Sequence, residues 1–150
     1  MYPTYTVLQY NILYYIYHGI KTNRPSHPRE TFQVLNIYHP PNIPGKAVVM
    51  GMVSMDSNAA TPAHTHGGAA VVAVVAEGTV LNQMNDEEPI VSRVGETWYE
   101  GPGCHHVRSE NVGEGDEKAR FFATLIVDEE VVAGDASGIF VLDAERGDGA

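Results

Sequence analysis

Residues 64–78 read HTHGGAAVVAVVAEG, and residues 95–111 read GETWYEGPGCHHVRSEN. In a β-strand alternate side chains point to the same face, so the imidazoles of His64 and His66 would lie side by side. Two neutral imidazoles on a stiff backbone form half of a transition-metal site, although a single histidine pair in a β protein is often incidental. His106 follows a Pro-Gly turn and is the candidate third ligand. Three histidines would leave coordination positions open, as catalytic metal sites require.

Turn-forming residues divide the rest of the chain into short segments. Proline and glycine recur about every ten residues, a spacing typical of the turns in a β-sandwich or barrel. The segments between them are β-branched or alternate in hydrophobicity, and they cover residues 32–38, 47–54, 70–76, 79–82, 90–94, 97–100 and 119–127. No stretch before residue 128 has a helical period with capping residues, and residues 138–142 form a candidate last strand. The pattern predicts an all-β fold.

Composition excludes some classes of partner. The chain has 150 residues and a formal net charge of −10, from 19 acidic and 9 basic residues. A nucleic-acid-binding protein needs a basic surface, and an anionic membrane surface would repel this charge, so we expect neither partner. Cys104 is the single cysteine. An intramolecular disulfide is therefore impossible, which is consistent with the reducing cytoplasm.

The chain has the length of one compact domain. We expect an N-terminal extension or edge strand over residues 1–29, a barrel over residues 30–142 and a flexible tail over residues 143–150. Residues 5–20 read YTVLQYNILYYIYHGI, which is short for a membrane span and interrupted by polar residues. A secretory signal would require basic residues before this segment, and there are none. Its tyrosines suit a half-buried strand that pairs with a second copy, so we expect a homodimer.

The two quoted stretches resemble the two conserved motifs of the small, single-domain, RmlC-like cupins. Cupin motif one has the His-x-His pair and closes on a glycine, as residues 64–78 do. Motif two has a glycine, a short strand, a Pro-Gly turn and a histidine, and often ends in asparagine, as residues 95–111 do. The resemblance spans residues 30–128 and implies a jelly-roll β-barrel, the double-stranded β-helix. It also implies that His64, His66 and His106 are the metal ligands.

One ligand of the cupin pattern is missing from its usual place. The glutamate of motif one would fall at Ala70 or Val71, neither of which binds a metal. Glu100 is the candidate replacement: the pleat of its strand places it on one face with Trp98, and the resemblance implies that this position, apolar in most cupins, faces the barrel interior. A glutamate that faces a barrel interior is costly unless a cation lies beside it. Glu100 would then be a fourth ligand or a general acid/base; the alternative is an ion pair with Arg108 or exposure at the barrel rim.

Four further residues are candidates for binding a substrate. Gln83 lies on the strand that follows motif one and could orient a substrate through its amide. Of Trp98 and Tyr99, one would pack in the core and the other would form an aromatic wall. Arg108 follows His106 by two residues and could bind an anionic group, although a structural ion pair is more common.

The resemblance implies a metal-dependent enzyme acting on a small organic substrate. Similar cupins take part in secondary metabolism of aromatic polyketides, as isomerases, cyclases or dioxygenases. The cofactor would be a divalent transition metal, and three imidazoles do not distinguish iron, zinc, nickel and manganese. The alternative is a non-catalytic cupin that binds a small molecule, with a structural metal or none.

Overall fold

The computed structural model describes residues 27–143, and predictions for residues 1–26 and 144–150 lie outside this range. Eleven strands make up most of it: β1 Thr31–Tyr38, β2 Lys46–Met55, β3 Ala60–Thr61, β4 His64–Thr65, β5 Ala70–Glu77, β6 Thr79–Met84, β7 Ile90–Arg93, β8 Thr97–Glu100, β9 His106–Asn111, β10 Ala119–Asp128 and β11 Val141–Leu142. Two short 3₁₀ helices, Glu129–Val131 and Ser137–Ile139, lie between β10 and β11. The all-β prediction is confirmed. In residues 27–143, no helix is long and apolar enough to cross a membrane.

The strands form two antiparallel sheets. One has the order β1-β2-β10-β5-β8, and the other has the order β11-β4-β9-β6-β7, with β3 paired to β9. The first motif therefore contributes β4 to one sheet and β5 to the other, and the second motif does the same with β9 and β8. This arrangement brings the strands of both motifs to a common interior, which is where the histidines lie.

The hydrophobic core lies between the two sheets and is formed by every second residue of the strands. Along β2 and β10 buried and more exposed residues alternate. The buried set includes Val49, Val53, Met55, Phe121, Ala123 and Leu125. Burial of each large apolar side chain contributes about 1.5–3 kcal/mol, so these two central strands supply much of the hydrophobic stabilisation.

The C-terminal segment covers one side of the interior. β11 pairs with β4, and the second 3₁₀ helix approaches the glycine turn after His66. A Cβ on Gly67 would lie 2.2 Å from the carbonyl oxygen of Gly138, and Gly67 has a φ of +60°. Only glycine meets both conditions without strain. The predicted strand over residues 138–142 is therefore shorter, because its first residues belong to this 3₁₀ helix.

Candidate metal centre

Three histidines from two neighbouring strands meet in the interior. His64 on β4 is the register partner of His106 on β9, and His66 directly follows β4. One nitrogen from each imidazole lies within 4.8 Å of the others. His64 and His106 are each 3% exposed. The structure thus brings together the three residues that the sequence analysis predicted as metal ligands.

The outward nitrogen of each imidazole has a hydrogen-bond partner. His64 Nδ1 lies 2.7 Å from the carbonyl oxygen of Pro62, and His66 Nδ1 lies 3.0 Å from that of Ile139. A carbonyl oxygen only accepts, so both rings carry their proton on Nδ1 and direct the Nε2 lone pair inward. His106 Nε2 donates to Asn82 Oδ1 at 2.9 Å, which leaves Nδ1 free. Hydrogen bonds of this kind orient metal-ligating histidines.

Glu100 lies beside these free nitrogens. It is 2% exposed, and Glu100 Oε2 is 3.1 Å from His66 Nε2. Glu100 Oε1 is 3.3 Å from His106 Nδ1 and accepts the indole N–H of Trp98 at 3.0 Å. Trp98 and Glu100 are both buried, as expected from the inference that they share one face. The burial of Glu100 disagrees with the alternatives, in which it lies exposed at the barrel rim or pairs with Arg108.

Two acceptors face each other in this cluster. His66 Nε2 and Glu100 Oε2 are both buried without a hydrogen-bond partner, even though they are only 3.1 Å apart. His66 Nδ1 donates to Ile139, so Nε2 has no proton to give to Glu100 when the ring is in its neutral form. Buried, unsatisfied acceptors at this distance are costly, and a cation between them would remove the cost. The donor set therefore fits a divalent transition metal.

Burial keeps two of the histidines, His64 and His106, in the form that binds metals. Burial, together with the neighbouring His106 and His66, lowers the pKa of His64 to about 3. Burial also lowers the pKa of His106. Burial alone would raise the pKa of Glu100, but the contact with His66, the nearby His106 and the Trp98 N–H lower it to about 2. Near neutral pH His64 and His106 are therefore neutral and Glu100 is a carboxylate, which are the forms that metal binding requires.

A small cavity adjoins the cluster. Its volume is about 50 Å³. Most of its wall is apolar, and the polar residues besides the cluster are Glu30, Thr61 and Ser109. Ile139 and Phe140, from the C-terminal segment, close one side, and the ring of Phe140 lies 4.4 Å from that of His64, centroid to centroid.

None of the four predicted substrate-binding residues lines the cavity. Tyr99 is 62% exposed on the outer face, because it alternates with Trp98 and Glu100 along β8. Gln83 is on the outward side of β6 and donates to the carbonyl oxygen of Glu87. Trp98 is buried, packs against Phe121 and contacts the site only through Glu100.

Arg108 is displaced by an irregularity in β9. Gln83 pairs with Arg108 while Met84 pairs with His106, so one residue of β9 is extra. Such a bulge shifts the alternation of the strand, and His106 and Ser109 become the inward residues. Arg108 instead pairs with Glu110 on the partly exposed side, at 2.8 Å. Arg108 therefore does not share the inward face of His106, and it forms the structural ion pair that the sequence analysis gave as the more common role.

Asn82 is a site residue that the sequence analysis missed. It is 3% exposed and holds His106. Alternation along β6 was the available signal, because Asn82 is two residues after the apolar Val80 and shares its buried face. The roles of Ile139 and Phe140 had no comparable signal, since they depend on how the C-terminal segment returns to β4.

Comparisons with known proteins identify the fold. No protein-family model matches the chain, and no curated protein is similar to it in sequence. The cupin domain of Cnp3 from Schizosaccharomyces pombe is 17% identical over 66% of this chain and 61% of that one, with a TM-score of 0.55. The DMSP lyase DddQ from Ruegeria pomeroyi is 18% identical over 67% of this chain and 45% of that one, with a TM-score of 0.53.

A third similar structure is a recombinant oxalate oxidase in complex with glycolate. It is 25% identical over 52% of this chain and 41% of that one, with a TM-score of 0.48. The chain spans less than two thirds of the length of each of these three proteins. The similarity to the Cnp3 and DddQ structures concerns the fold, and it agrees with the motif order and the two antiparallel sheets described above. This chain has the cupin fold, a double-stranded β-helix.

Proposed function

We propose that this protein is a metal-dependent enzyme acting on a small organic molecule, with one divalent transition metal bound by His64, His66 and His106. The observation that carries the proposal is that one nitrogen from each of the three histidines lies within 4.8 Å of the others, next to a buried carboxylate whose Oε2 has no hydrogen-bond partner. Each imidazole is held on its far side by an acceptor that is not a ligand. A histidine cluster that served only packing would not need this common orientation.

Glu100 is best assigned as a fourth ligand. Donor atoms that share one ion at about 2.1 Å lie about 3.0–3.4 Å from each other in octahedral or tetrahedral geometry. The contacts of Glu100 with His66 and His106, at 3.1 and 3.3 Å, fall in this range. Glu100 pairs in register with Val71, so the carboxylate occupies the strand adjacent to the usual cupin position. The missing motif glutamate is thereby compensated from β8.

The geometry favours chemistry at the metal over proton transfer by Glu100. Both carboxylate oxygens face imidazole or indole nitrogens, which leaves neither directed at a substrate. A metal with open positions supplies Lewis-acid or dioxygen chemistry. The chain itself keeps His64 and His106 neutral, fixes the orientation of all three imidazoles and lines the cavity beside them mostly with apolar side chains.

Metal content of protein purified without an affinity tag tests the proposal. We expect about one equivalent of a transition metal in the wild type and loss of it in His106→Ala. His105→Ala is the matched control, because this neighbouring histidine points away and pairs with Asp143 at 2.9 Å. A metal-free wild type whose thermal stability does not respond to added metal would refute the proposal. It would favour the non-catalytic binding domain instead.

A further inference from the structure

The cavity beside the histidines is small for an enzyme pocket. An apolar cavity that binds benzene has a volume of about 150 Å³, three times larger. The proposed ligands themselves line it, so its volume of about 50 Å³ includes the position of the metal and leaves room beside the metal for only a few non-hydrogen atoms. Its walls come from both sheets and from the C-terminal segment.

The charges around the cavity limit what can enter. Among the described residues that line it, the charged side chains are Glu30 and Glu100, and none is a lysine or arginine. Glu30 is already paired with Arg29 at 3.1 Å, and its side chain is 7% exposed. A divalent metal with the Glu100 carboxylate carries one net positive charge, which a single anionic group neutralises. A second negative charge would be buried without a partner, at a cost of several kcal/mol.

We infer that this site selects short, neutral or singly anionic substrates and excludes dianions and ring-sized molecules. This inference rests on the proposed function, because it takes the metal as the point at which the polar end of the substrate binds. An aromatic or polyketide-sized substrate would therefore be too large for the site in this form.

Phe32 is a large side chain in the cavity wall that is not part of the metal site. It lines the cavity from β1, and its ring lies directly over Gly51 of β2. A Cβ on Gly51 would be 2.3 Å from a carbon of this ring, so glycine is what allows the ring to take this position. Replacing Phe32 with alanine removes the ring and opens the cavity toward the edge strand without changing any metal ligand.

The experiment uses the Co²⁺-loaded protein and follows its visible absorption during titration with acetate, hexanoate and succinate. Hexanoate and succinate have the same number of non-hydrogen atoms but differ by one negative charge. We expect acetate to bind the wild type at least tenfold more tightly than either longer acid. In Phe32→Ala, hexanoate should gain affinity on the order of tenfold or more from its added methylenes, whereas succinate should not.

Controls separate the possible results. Phe122→Ala removes a phenylalanine from the outer face of β10 and should leave all three affinities unchanged. Phe32→Leu provides a milder enlargement if the alanine variant is unstable, and hexanoate should again gain over succinate. Equal binding of succinate and acetate to the wild type, or unchanged hexanoate binding in both Phe32 variants, would overturn the inference while leaving the metal site intact. Failure of Co²⁺ to bind at all would overturn the proposed function, and this inference with it.

Discussion

Acidification should destabilise the metal-free protein through His64 in particular. The pKa of this imidazole is about 3 in the folded protein and 6.5 in the unfolded chain, because the folded ring is buried beside His106 and His66. Between these two values the unfolded state binds more protons, so the free energy of unfolding falls as the pH falls. The stabilisation is fully present above about pH 6.5 and is lost progressively toward pH 3.

The size of the effect follows from the separation of the two pKa values. Each unit of pKa corresponds to about 1.4 kcal/mol, so lowering the pH from 7 to 5 should remove about 2 kcal/mol through His64 alone. The side chain is 3% exposed, so solvent screening does not reduce this value appreciably. A loss of this size is a large fraction of the stability of a small domain.

Urea unfolding after removal of metal by a chelator measures this loss. The wild type, His64→Gln and His39→Gln are compared at pH 7 and pH 5. His39 is an exposed histidine that pairs with Glu129 at the surface, so its variant serves as the control. We expect His64→Gln to lose about 2 kcal/mol less than the wild type on acidification, and the control to behave as the wild type. Equal losses in all three proteins would refute the assignment of a buried, neutral His64.

Three further outcomes are expected. Glu100→Gln preserves the shape of the side chain but removes its charge, so the metal affinity measured by calorimetry should fall at least tenfold; unchanged affinity would exclude Glu100 as a ligand. Asn82→Leu removes the acceptor for His106 and should weaken metal binding by about 10–100-fold, with retained affinity arguing against a positioning role. Light scattering should give a homodimer, because exposed apolar side chains such as Tyr99 and Val72 lie in register on the outer face of one sheet. A monomer whose mass is unaffected by deletion of residues 1–20 would contradict both the dimer and the pairing role proposed for that segment.

The sequence correctly predicted which residues of a strand share a face wherever the two-residue alternation of the strand was unbroken. The alternation in residues 97–100 predicted that Trp98 and Glu100 share a face, and both are buried in the structure. The same reasoning failed for Arg108, because the extra residue in β9 shifts the faces after His106. A bulge is set by pairing with the neighbouring strand, so no pattern within β9 itself indicates it.

The sequence alone was sufficient for the all-β class, the cupin motifs and the three histidines, because turn residues, strand periodicity and motif spacing are properties of short segments. The surroundings of those histidines depended on strands and loops that are distant in the chain. Glu100 pairs in register with Val71, the carbonyl oxygen of Ile139 accepts from His66, and the ring of Phe32 packs against Gly51. Each of these contacts depends on sheet register or on close approach of the backbone, which form only when the whole domain has folded.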